Sequence, residues 1–353
     1  NSSKVVLVFS CSRSAIKLVI ENKMKGTTGI GIRRAILVGK YSGIGLFGLG
    51  IVALYIDKPR AASDGNGGER ATAKYPEFVS WLPRSFTAVS VALLSKFYIT
   101  QLNSFSCMAT PTGRDNKKIL IDAISQREPG QALITASNHI STLDDPAILS
   151  CLLPWSSVLS LITRPDYSIR WTLCSQEYCY EKGSIISTFF FAGKTLPIKR
   201  GAGIDQALFQ NFFDKVHAGN WVHIFPEGRI SQTGGLDGRA EPEREKIGRL
   251  KWGVGKLIAK ASIPPTVIPI YHIGMDKVLP QNAKRKLKSF IPRTGQEVSC
   301  IVGEPITFQD LREEYAKLGL PSYYESSASL DSSTNWWKSK EEEYEIYSAI
   351  TRR

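Results

Sequence analysis

The sequence predicts an α/β fold in which a mostly parallel sheet is flanked by helices. From about residue 118 onward, short runs of apolar and β-branched residues alternate with longer stretches of helical periodicity. This alternation is typical of parallel strands joined by helices that pack on the faces of the sheet. A hydrophobic content of 42% and an aromatic content of 10% supply enough apolar residues for a large core.

The elements are predicted in chain order from this pattern. A short helix is expected over residues 119–125, the first clear strand over 132–136, and a second helix from Pro146 onward. Apolar runs rich in Val, Ile and Thr indicate the remaining strands, and amphipathic runs indicate the remaining helices. We expect strands over 196–198, 221–225, 266–270 and 298–302, and helices over 203–218 and 250–261.

The first 77 residues have a different composition. Residues 1–40 carry eight Lys or Arg and one acidic residue, Glu21, which is typical of an organelle-targeting segment or of a basic arm facing anionic lipid. Residues 41–56 are uncharged, mostly apolar and slightly fewer than the ~20 that span a bilayer. They predict a membrane segment, with a buried core helix as the alternative. The composition of residues 57–77 indicates a linker.

Residues 78–98 predict a helix that lies in a membrane interface or packs on the main domain. We assign residues 78–310 to the main domain, which contains the motifs that indicate a function. Residues 311–353 are predicted to be a polar C-terminal tail with a short amphipathic helix near residues 336–347.

A net charge of +13 at pH 7 indicates a negatively charged partner. Anionic membrane surface and nucleic acid both qualify, but the basic residues show no helix-turn-helix or aromatic-stacking pattern, so a membrane is expected and nucleic acid is not. The six cysteines include no CxxC pair, so we expect buried free thiols rather than a disulfide framework or a zinc site.

The richest motif is residues 132–146, ALITASNHISTLDDP. Its strand would deliver Asn138 and His139 to the edge of the sheet, and Asp144 would stand at or near the start of the next helix. Five residues along a regular helix rotate a side chain by roughly 140°, so His139 and Asp144 meet only across a turn. The carboxylate could then hold one imidazole nitrogen as N–H and leave the other as a base. Asp144 could equally be an ordinary helix cap.

A second motif is residues 221–231, WVHIFPEGRIS, where a strand runs into a turn. Glu227, Gly228 and Arg229 would emerge at the end of this strand. An arginine beside a backbone-exposing glycine is suited to binding phosphate, although an ordinary turn is the alternative. His223 within this strand and His272 further along are predicted to be structural.

Together with two weaker motifs, this pattern resembles the four conserved blocks of the glycerophospholipid acyltransferases. His139 to Asp144 match the His-x4-Asp block, and Gly193, Ile198 and Arg200 match the Gly…Ile-x-Arg block. Residues 225–228 match Phe-Pro-Glu-Gly, and residues 267–270 match a Val-Pro-Ile-like strand. Within this family the chain is similar to the tafazzin branch over about residues 130–305, which implies the glycerolipid acyltransferase fold.

The resemblance implies a membrane-bound phospholipid acyltransferase or a CoA-independent transacylase that remodels cardiolipin. The expected location is a mitochondrial membrane, with plastid or ER membrane as alternatives. His139 would be the general base, oriented by Asp144, and a lysophospholipid hydroxyl would be the nucleophile. The residues expected to bind phospholipid substrates are Asn138, Gly193, Arg200, Phe225, Pro226, Glu227, Gly228 and Arg229.

No metal cofactor is implied, and acyl-CoA is an alternative acyl donor. Two other functions stay open at this point. One is an acyl-CoA-dependent acyltransferase acting on a lysophospholipid or on a head-group amine. The other is a non-catalytic basic protein that binds membranes.

Overall fold

A computed structural model describes the backbone of residues 4–12, 15–26 and 29–39. It further describes residues 81–109, 113, 115–160, 169–181, 184–232, 250–282, 285–289, 291–319 and 338–353. The chain divides into two compact units, residues 1–58 and 59–353. The predicted membrane segment 41–56 and linker 57–77 lie outside the described residues.

The described part of the first unit is an antiparallel sheet of three strands. They are β1 (Lys4–Ser12), β2 (Ala15–Gly26) and β3 (Gly29–Gly39), paired in chain order. The register places Val8 opposite Val19 and Leu18 opposite Leu37. The targeting role of residues 1–40 stays a prediction.

The second unit is built on a mostly parallel sheet, as the sequence predicts. Its five strands run in the order β4-β10-β9-β5-β8, and only the β9–β10 pair is antiparallel. A parallel two-stranded sheet, β6–β7, joins it through a bridge between Trp171 and Val222. The strands are β4 (Ser104–Cys107), β5 (Leu133–Ser137), β6 (Thr172–Ser175), β7 (Thr195–Ile198), β8 (Trp221–Ile224), β9 (Thr266–Ile273) and β10 (Glu297–Val302).

In the sequence, helices lie before, between and after the strands of this sheet. They are α1 (Trp81–Leu102), α2 (Asn116–Ser125), α3 (Asp144–Leu152), α4 (Trp155–Ser160), α5 (Gln176–Cys179), α6 (Ser184–Ala192), α7 (Ala207–His217), α8 (Gly253–Lys260), α9 (Met275–Val278), α10 (Gln309–Lys317) and α11 (Glu343–Arg352). The helices predicted over 119–125, from 146, over 203–218 and over 250–261 are all present. So are the four strands predicted after the first.

The core lies on both faces of the sheet because neighbouring strand residues point in opposite directions. In β5, Leu133 packs in one apolar cluster with α1, α2 and α3, whereas Ile134 packs in a second cluster with α7, α8 and α11. Both side chains are fully buried. This two-sided burial is what a parallel sheet requires, and it fixes the end of β5 firmly in the fold.

Helix α1 packs on the main domain, which is one of the two placements that the sequence allowed. Ala88, Val89, Ala92 and Ile99 are buried in the first cluster. The buried Lys96 ammonium donates to three carbonyl oxygens at the carboxyl end of α3, those of Ser150, Cys151 and Leu153. None of the helices described is long and apolar enough to cross a membrane.

The C-terminal residues that the structure describes are part of the second core cluster. Ile346, Tyr347 and Ile350 of α11 are buried there beside α8 and α10. A buried carboxylate, Glu343, pairs with Lys260 at 2.9 Å. Although the composition of residues 311–353 is polar, α11 therefore contributes apolar side chains to the fold. The division between a main domain and a tail stays a prediction.

The expectation of free thiols is wrong for two of the cysteines. Cys174 and Cys179 form a disulfide across the junction of β6 and α5, where the turn brings their Cα atoms to 6.2 Å. Cys107, Cys151 and Cys300 are free thiols, as expected. The short spacing of the bonded pair gives no sequence signal, because it depends on a turn at residue 176.

Candidate active site

The site lies where β5 and β8 end at the same edge of the sheet. Ala136 is level with Ile224 in this parallel pair, so three residues further along His139 and Glu227 are level with each other. The His139 backbone N–H accordingly donates to Glu227 Oε1 at 3.1 Å. Two motifs separated by more than eighty residues therefore meet because of the register of the strands.

His139 and Asp144 are in contact across a turn. Asp144 begins α3, and its Oδ2 atom lies 3.0 Å from His139 Nδ1. The same oxygen accepts the backbone N–H groups of Ile140 and Ser141 at 2.7 and 2.8 Å. Asp144 is 2% exposed, so this turn holds a buried anion at one fixed position. The carboxylate is thus both a cap of the turn and a partner of the imidazole.

These contacts determine the tautomer of His139. A carboxylate only accepts hydrogen bonds, so Nδ1 carries the proton that is shared with Asp144. Nε2 is then the nitrogen with a free lone pair, and His139 lines the cleft described below. This arrangement leaves His139 able to take a proton from a molecule in the cleft.

The ring and backbone of His139 are fixed by the second motif. The Phe225 ring stacks on the imidazole with centroids 3.9 Å apart and planes inclined by 17°. Ser231 N–H donates to the His139 carbonyl at 2.8 Å. Burial raises the pKa of Glu227, while the hydrogen bond from the His139 N–H opposes that effect. Phe225 and Glu227 therefore support the base itself as well as lining the cleft.

Asn138 and His272 join the end of β5 to β9 behind the base. Asn138 donates to the His272 carbonyl at 2.8 Å and accepts the His272 N–H at 2.9 Å. The His272 Nε2 atom lies 3.1 Å from the Asn138 carbonyl and 3.8 Å from Asp144 Oδ2. Burial lowers the pKa of His272, against the opposing effect of Asp144. Asn138 is predicted to bind substrate, but its side chain is hydrogen-bonded to the backbone of His272.

His223 is buried beneath the site in β8. Its Nδ1 and Nε2 atoms lie 2.8 Å from Thr135 Oγ1 and 3.2 Å from Ser137 Oγ. Burial lowers the pKa of His223 to about 4. The ring is therefore a neutral, hydrogen-bonded core group, which agrees with the structural role predicted for it.

A buried neutral histidine predicts loss of stability in acid. The unfolded chain binds a proton near pH 6.5, whereas folded His223 binds one only near pH 4, so protonation favours unfolding as the pH falls between these values. For this group the free energy of unfolding should fall by about 2 kcal/mol between pH 7 and pH 5. Urea unfolding of wild type and of His223→Gln at both pH values measures this fall in the free energy of unfolding. An equal fall in both proteins would contradict the assignment.

A large cleft opens beside His139. Its volume is about 1890 Å³. Its lining includes apolar side chains from α1, α3 and α6, among them Val91, Leu149 and Phe190, together with seven basic side chains. The basic lining residues are Arg170, Lys199, Arg200, Arg229, Lys251, Arg285 and Lys286.

The cleft contains most of the residues predicted to bind substrate. Gly193, Arg200, Phe225, Pro226, Glu227, Gly228 and Arg229 all line it, whereas Asn138 is not among its lining residues. Gly228 has a φ of +66°, a left-handed conformation that glycine adopts without strain, and it turns the chain towards Arg229. The structure thus brings the His-x4-Asp, Gly…Ile-x-Arg and Phe-Pro-Glu-Gly blocks together around one cavity.

Sequence reasoning missed Arg170. Its guanidinium donates from Nε to Asp145 Oδ1 at 2.5 Å and from a terminal nitrogen to the Gly193 carbonyl at 3.3 Å. Arg170 thereby ties Asp145 of the first motif to Gly193 of the Gly…Ile-x-Arg block. No local pattern marks Arg170, which lies two residues before β6, a strand of four residues that the sequence did not reveal.

The described part of the site contains a candidate base, His139, and no nucleophilic side chain bonded to it. None of the hydrogen bonds between described residues joins a serine, threonine or cysteine side chain to His139. If His139 acts as a base, a substrate group is the candidate for deprotonation. A histidine–carboxylate pair beside a cleft with apolar and basic lining suits an enzyme that activates a substrate hydroxyl or amine.

Comparison with known proteins identifies this class. Residues 118–273 match the family model described as Acyltransferase. The chain is 32% identical over 227 residues to N-acylphosphatidylethanolamine synthase from Arabidopsis thaliana, covering 64% of this chain and 72% of the relative. It is 33% identical over 244 residues to taffazin from Dictyostelium discoideum, covering 68% and 74%. It is 31% identical over 236 residues to tafazzin from Drosophila melanogaster, covering 67% of this chain and 54% of the relative.

The chain therefore belongs to the acyltransferase family, as a tafazzin-like member. It is an enzyme that transfers acyl groups. It spans about half the length of the Drosophila tafazzin and about three quarters of the other two relatives.

Proposed function

We propose that this acyltransferase moves an acyl chain onto a lysophospholipid and that a second phospholipid is the donor. The observation that carries the proposal is the His139–Asp144 pair beside a cleft that is lined by both apolar and basic side chains. Apolar surface suits acyl chains, and a basic surface suits the phosphate of the same molecule. The transacylase activity implied by the tafazzin relatives fits such a cleft.

The proposed reaction needs only the residues of this site and the two lipids. His139 Nε2 takes the proton of the lysophospholipid hydroxyl, whose oxygen attacks the ester carbon of the donor. Asp144 stabilises the imidazolium that forms. The tetrahedral intermediate then breaks its bond to the donor oxygen, and His139 returns the proton to that oxygen. One ester is formed and one is broken, so no co-reactant is required.

The basic residues position the phosphate in this proposal. Arg200 and Arg229 line the cleft after β7 and β8 respectively, and guanidinium groups bind phosphate in a bidentate manner. Gly228 lets the backbone approach the substrate closely. Glu227 holds the turn that carries His139, through the His139 N–H.

A second candidate is acyl transfer to an amine. The similarity to an N-acylphosphatidylethanolamine synthase favours this alternative, because His139 could deprotonate a head-group amine as it would a hydroxyl. Acyl-CoA could replace the phospholipid as donor in either case. A third candidate, a non-catalytic basic membrane-binding protein, would have the same fold and charge.

We also propose that the enzyme works on a membrane surface, of mitochondria in the tafazzin-like case and of plastids or ER otherwise. Leu94, Phe97 and Leu102 are exposed apolar side chains of α1, and Phe97 is 52% exposed. The hydroxyl of Tyr98 on the same helix donates to the Pro292 carbonyl, beside Ile291, which is 77% exposed. Exposed basic residues precede and follow Ile291. Apolar and basic side chains together suit an anionic lipid interface.

The test is an assay with purified protein in liposomes. The vesicles contain phosphatidylcholine labelled in its acyl chain, and each of several lysophospholipids or phosphatidylethanolamine is offered as acceptor. Transfer of label to a lysophospholipid without added CoA is the expected result. Label on the amine of phosphatidylethanolamine would favour the second candidate. Transfer that occurs only from labelled acyl-CoA would replace the proposed donor. No transfer under any condition would favour the non-catalytic candidate.

A further inference from the structure

The loop between β7 and α7 carries one of the arginines of the cleft. Residues 199–206 include Lys199 and Arg200, both exposed and both lining the cleft. The side chain of Gln206 closes the loop, since it accepts the Lys199 N–H at 2.8 Å and donates to the carbonyls of Lys199 and Gly203. The loop is therefore a compact unit, and whatever holds it determines where Arg200 lies.

Asp205 holds this loop to the body of the protein. Its Oδ1 atom accepts from Lys256 Nζ at 2.5 Å, and Lys256 itself is 1% exposed on α8. The same ammonium donates to the Ile204 carbonyl at 3.3 Å. Although partial burial opposes the effect, hydrogen bonds from Lys256 and Ser339 lower the pKa of Asp205. Asp205 is thus a charged anchor at the base of the loop.

Three further bonds to Asp205 come from the C-terminal segment, residues 338–353. Ser339 donates from its backbone N at 3.0 Å and from its hydroxyl at 2.7 Å, and the Tyr344 hydroxyl lies 3.2 Å from Asp205 Oδ2. The Tyr344 ring lies beside Trp252, with centroids 5.4 Å apart, and both rings line the cleft. The segment therefore reaches the wall of the cleft at the Arg200 loop.

The C-terminal segment is itself well anchored. Glu343 is 1% exposed and accepts from the hydroxyls of Tyr315 and Tyr347 at 2.6 and 2.7 Å, in addition to its ion pair with Lys260. The segment lies outside residues 118–273, the part of the chain that matches the acyltransferase family model. The segment is therefore held at two carboxylates: Asp205, which lies beside the cleft, and its own Glu343, which lies in the core.

We propose that Asp205 is a positioning residue through which the C-terminal segment fixes Arg200 for binding the substrate phosphate. This inference rests on the proposed function. The bonds from Ser339 and Tyr344 hold the Arg200 loop from one side, and Lys256 holds it from the other. Residues 338–353 accordingly set the affinity of the cleft for its phosphate-bearing substrate, while the His139–Asp144 pair performs the chemistry.

The test uses two matched double variants. Ser339→Ala with Tyr344→Phe removes two hydroxyls that bond to Asp205 and leaves the Asp205–Lys256 pair intact. Tyr315→Phe with Tyr347→Phe removes two hydroxyls that bond to the other carboxylate, Glu343. The first variant should raise the apparent KM for lysophospholipid by about fivefold with kcat little changed, the effect of losing about one net hydrogen bond. The second should lower thermal stability without raising KM.

Two further measurements separate positioning of Arg200 from a direct effect of Tyr344 or of stability. In an Arg200→Ala background the first variant should raise KM no further, because the group it positions is gone. Hydrogen exchange of residues 199–206, which needs no activity, should be faster in the first variant only. Equal exchange in both variants, or additive effects on KM, would overturn the inference. An inactive wild-type protein with this exchange difference would instead count against the proposed function.

Discussion

Replacing His139 by alanine is expected to reduce the rate of acyl transfer by about 10³-fold or more. The imidazole is the one group in the described site with a free lone pair directed by a carboxylate partner, through the 3.0 Å contact between Nδ1 and Asp144. Without it a lipid hydroxyl keeps its proton and is a weak nucleophile. The measurement is the initial rate of label transfer in liposomes under conditions where wild type is active.

The fold should survive this substitution, so that lost activity reports lost chemistry. The backbone bonds of residue 139, from its N–H to Glu227 and from Ser231 to its carbonyl, do not depend on the side chain. His217→Ala is the matched control, since His217 is an exposed histidine on α7. Its rate should equal that of wild type. A His139→Ala protein with more than about a tenth of the wild-type rate would show that another group accepts the proton.

The main sheet could be predicted because its strands carry a local signal. β5 and β8 are buried on both faces, β9 and β10 alternate buried positions with half-buried or exposed ones, and the apolar β-branched residues of all four strands separate them from the helices. The first helix after β5 could be predicted from Asp145 and Pro146. These elements form the scaffold that delivers His139.

The short strands β4 and β6 could not be predicted in this way. Each has four residues, and β4 alternates exposed and half-buried positions, which leaves no apolar run to recognise. The role of α11 also escaped prediction. Its apolar residues, Ile346, Tyr347 and Ile350, lie in a polar stretch and become core residues only because α8 and α10 provide a surface for them.

The candidate site was predictable to the extent that its contacts are local. His139 and Asp144 are five residues apart, so a single turn brings them into contact, and the spacing itself indicates that this contact is possible. The contacts of His272 with Asn138 and Asp144 depend on the register of β5 with β9 across more than 120 residues. The bonds from Arg170 to Asp145 and Gly193 likewise join residues that are distant in the sequence and meet only in the folded chain. Such pairs follow from the folded sheet and not from any motif.

Replacing Asp144 by asparagine is expected to lower kcat by about 10²- to 10⁴-fold with little change in KM. Asp144 Oδ2 accepts the backbone N–H groups of Ile140 and Ser141 as well as His139 Nδ1. An asparagine can still accept these bonds through its amide oxygen, so the turn should persist. It carries no charge, however, and an imidazolium formed during the reaction would lose the anion that stabilises it.

The matched control is Asp145→Asn, which removes a neighbouring buried carboxylate. Asp145 pairs with Arg170 at 2.5 Å rather than with His139, so its loss should affect stability and the shape of the cleft more than kcat. The two variants therefore separate a charge that serves the base from a charge that serves the fold. If Asp144→Asn kept the wild-type kcat, Asp144 would only hold the turn, and the orientation of His139 would have to come from the Phe225 ring and the backbone alone.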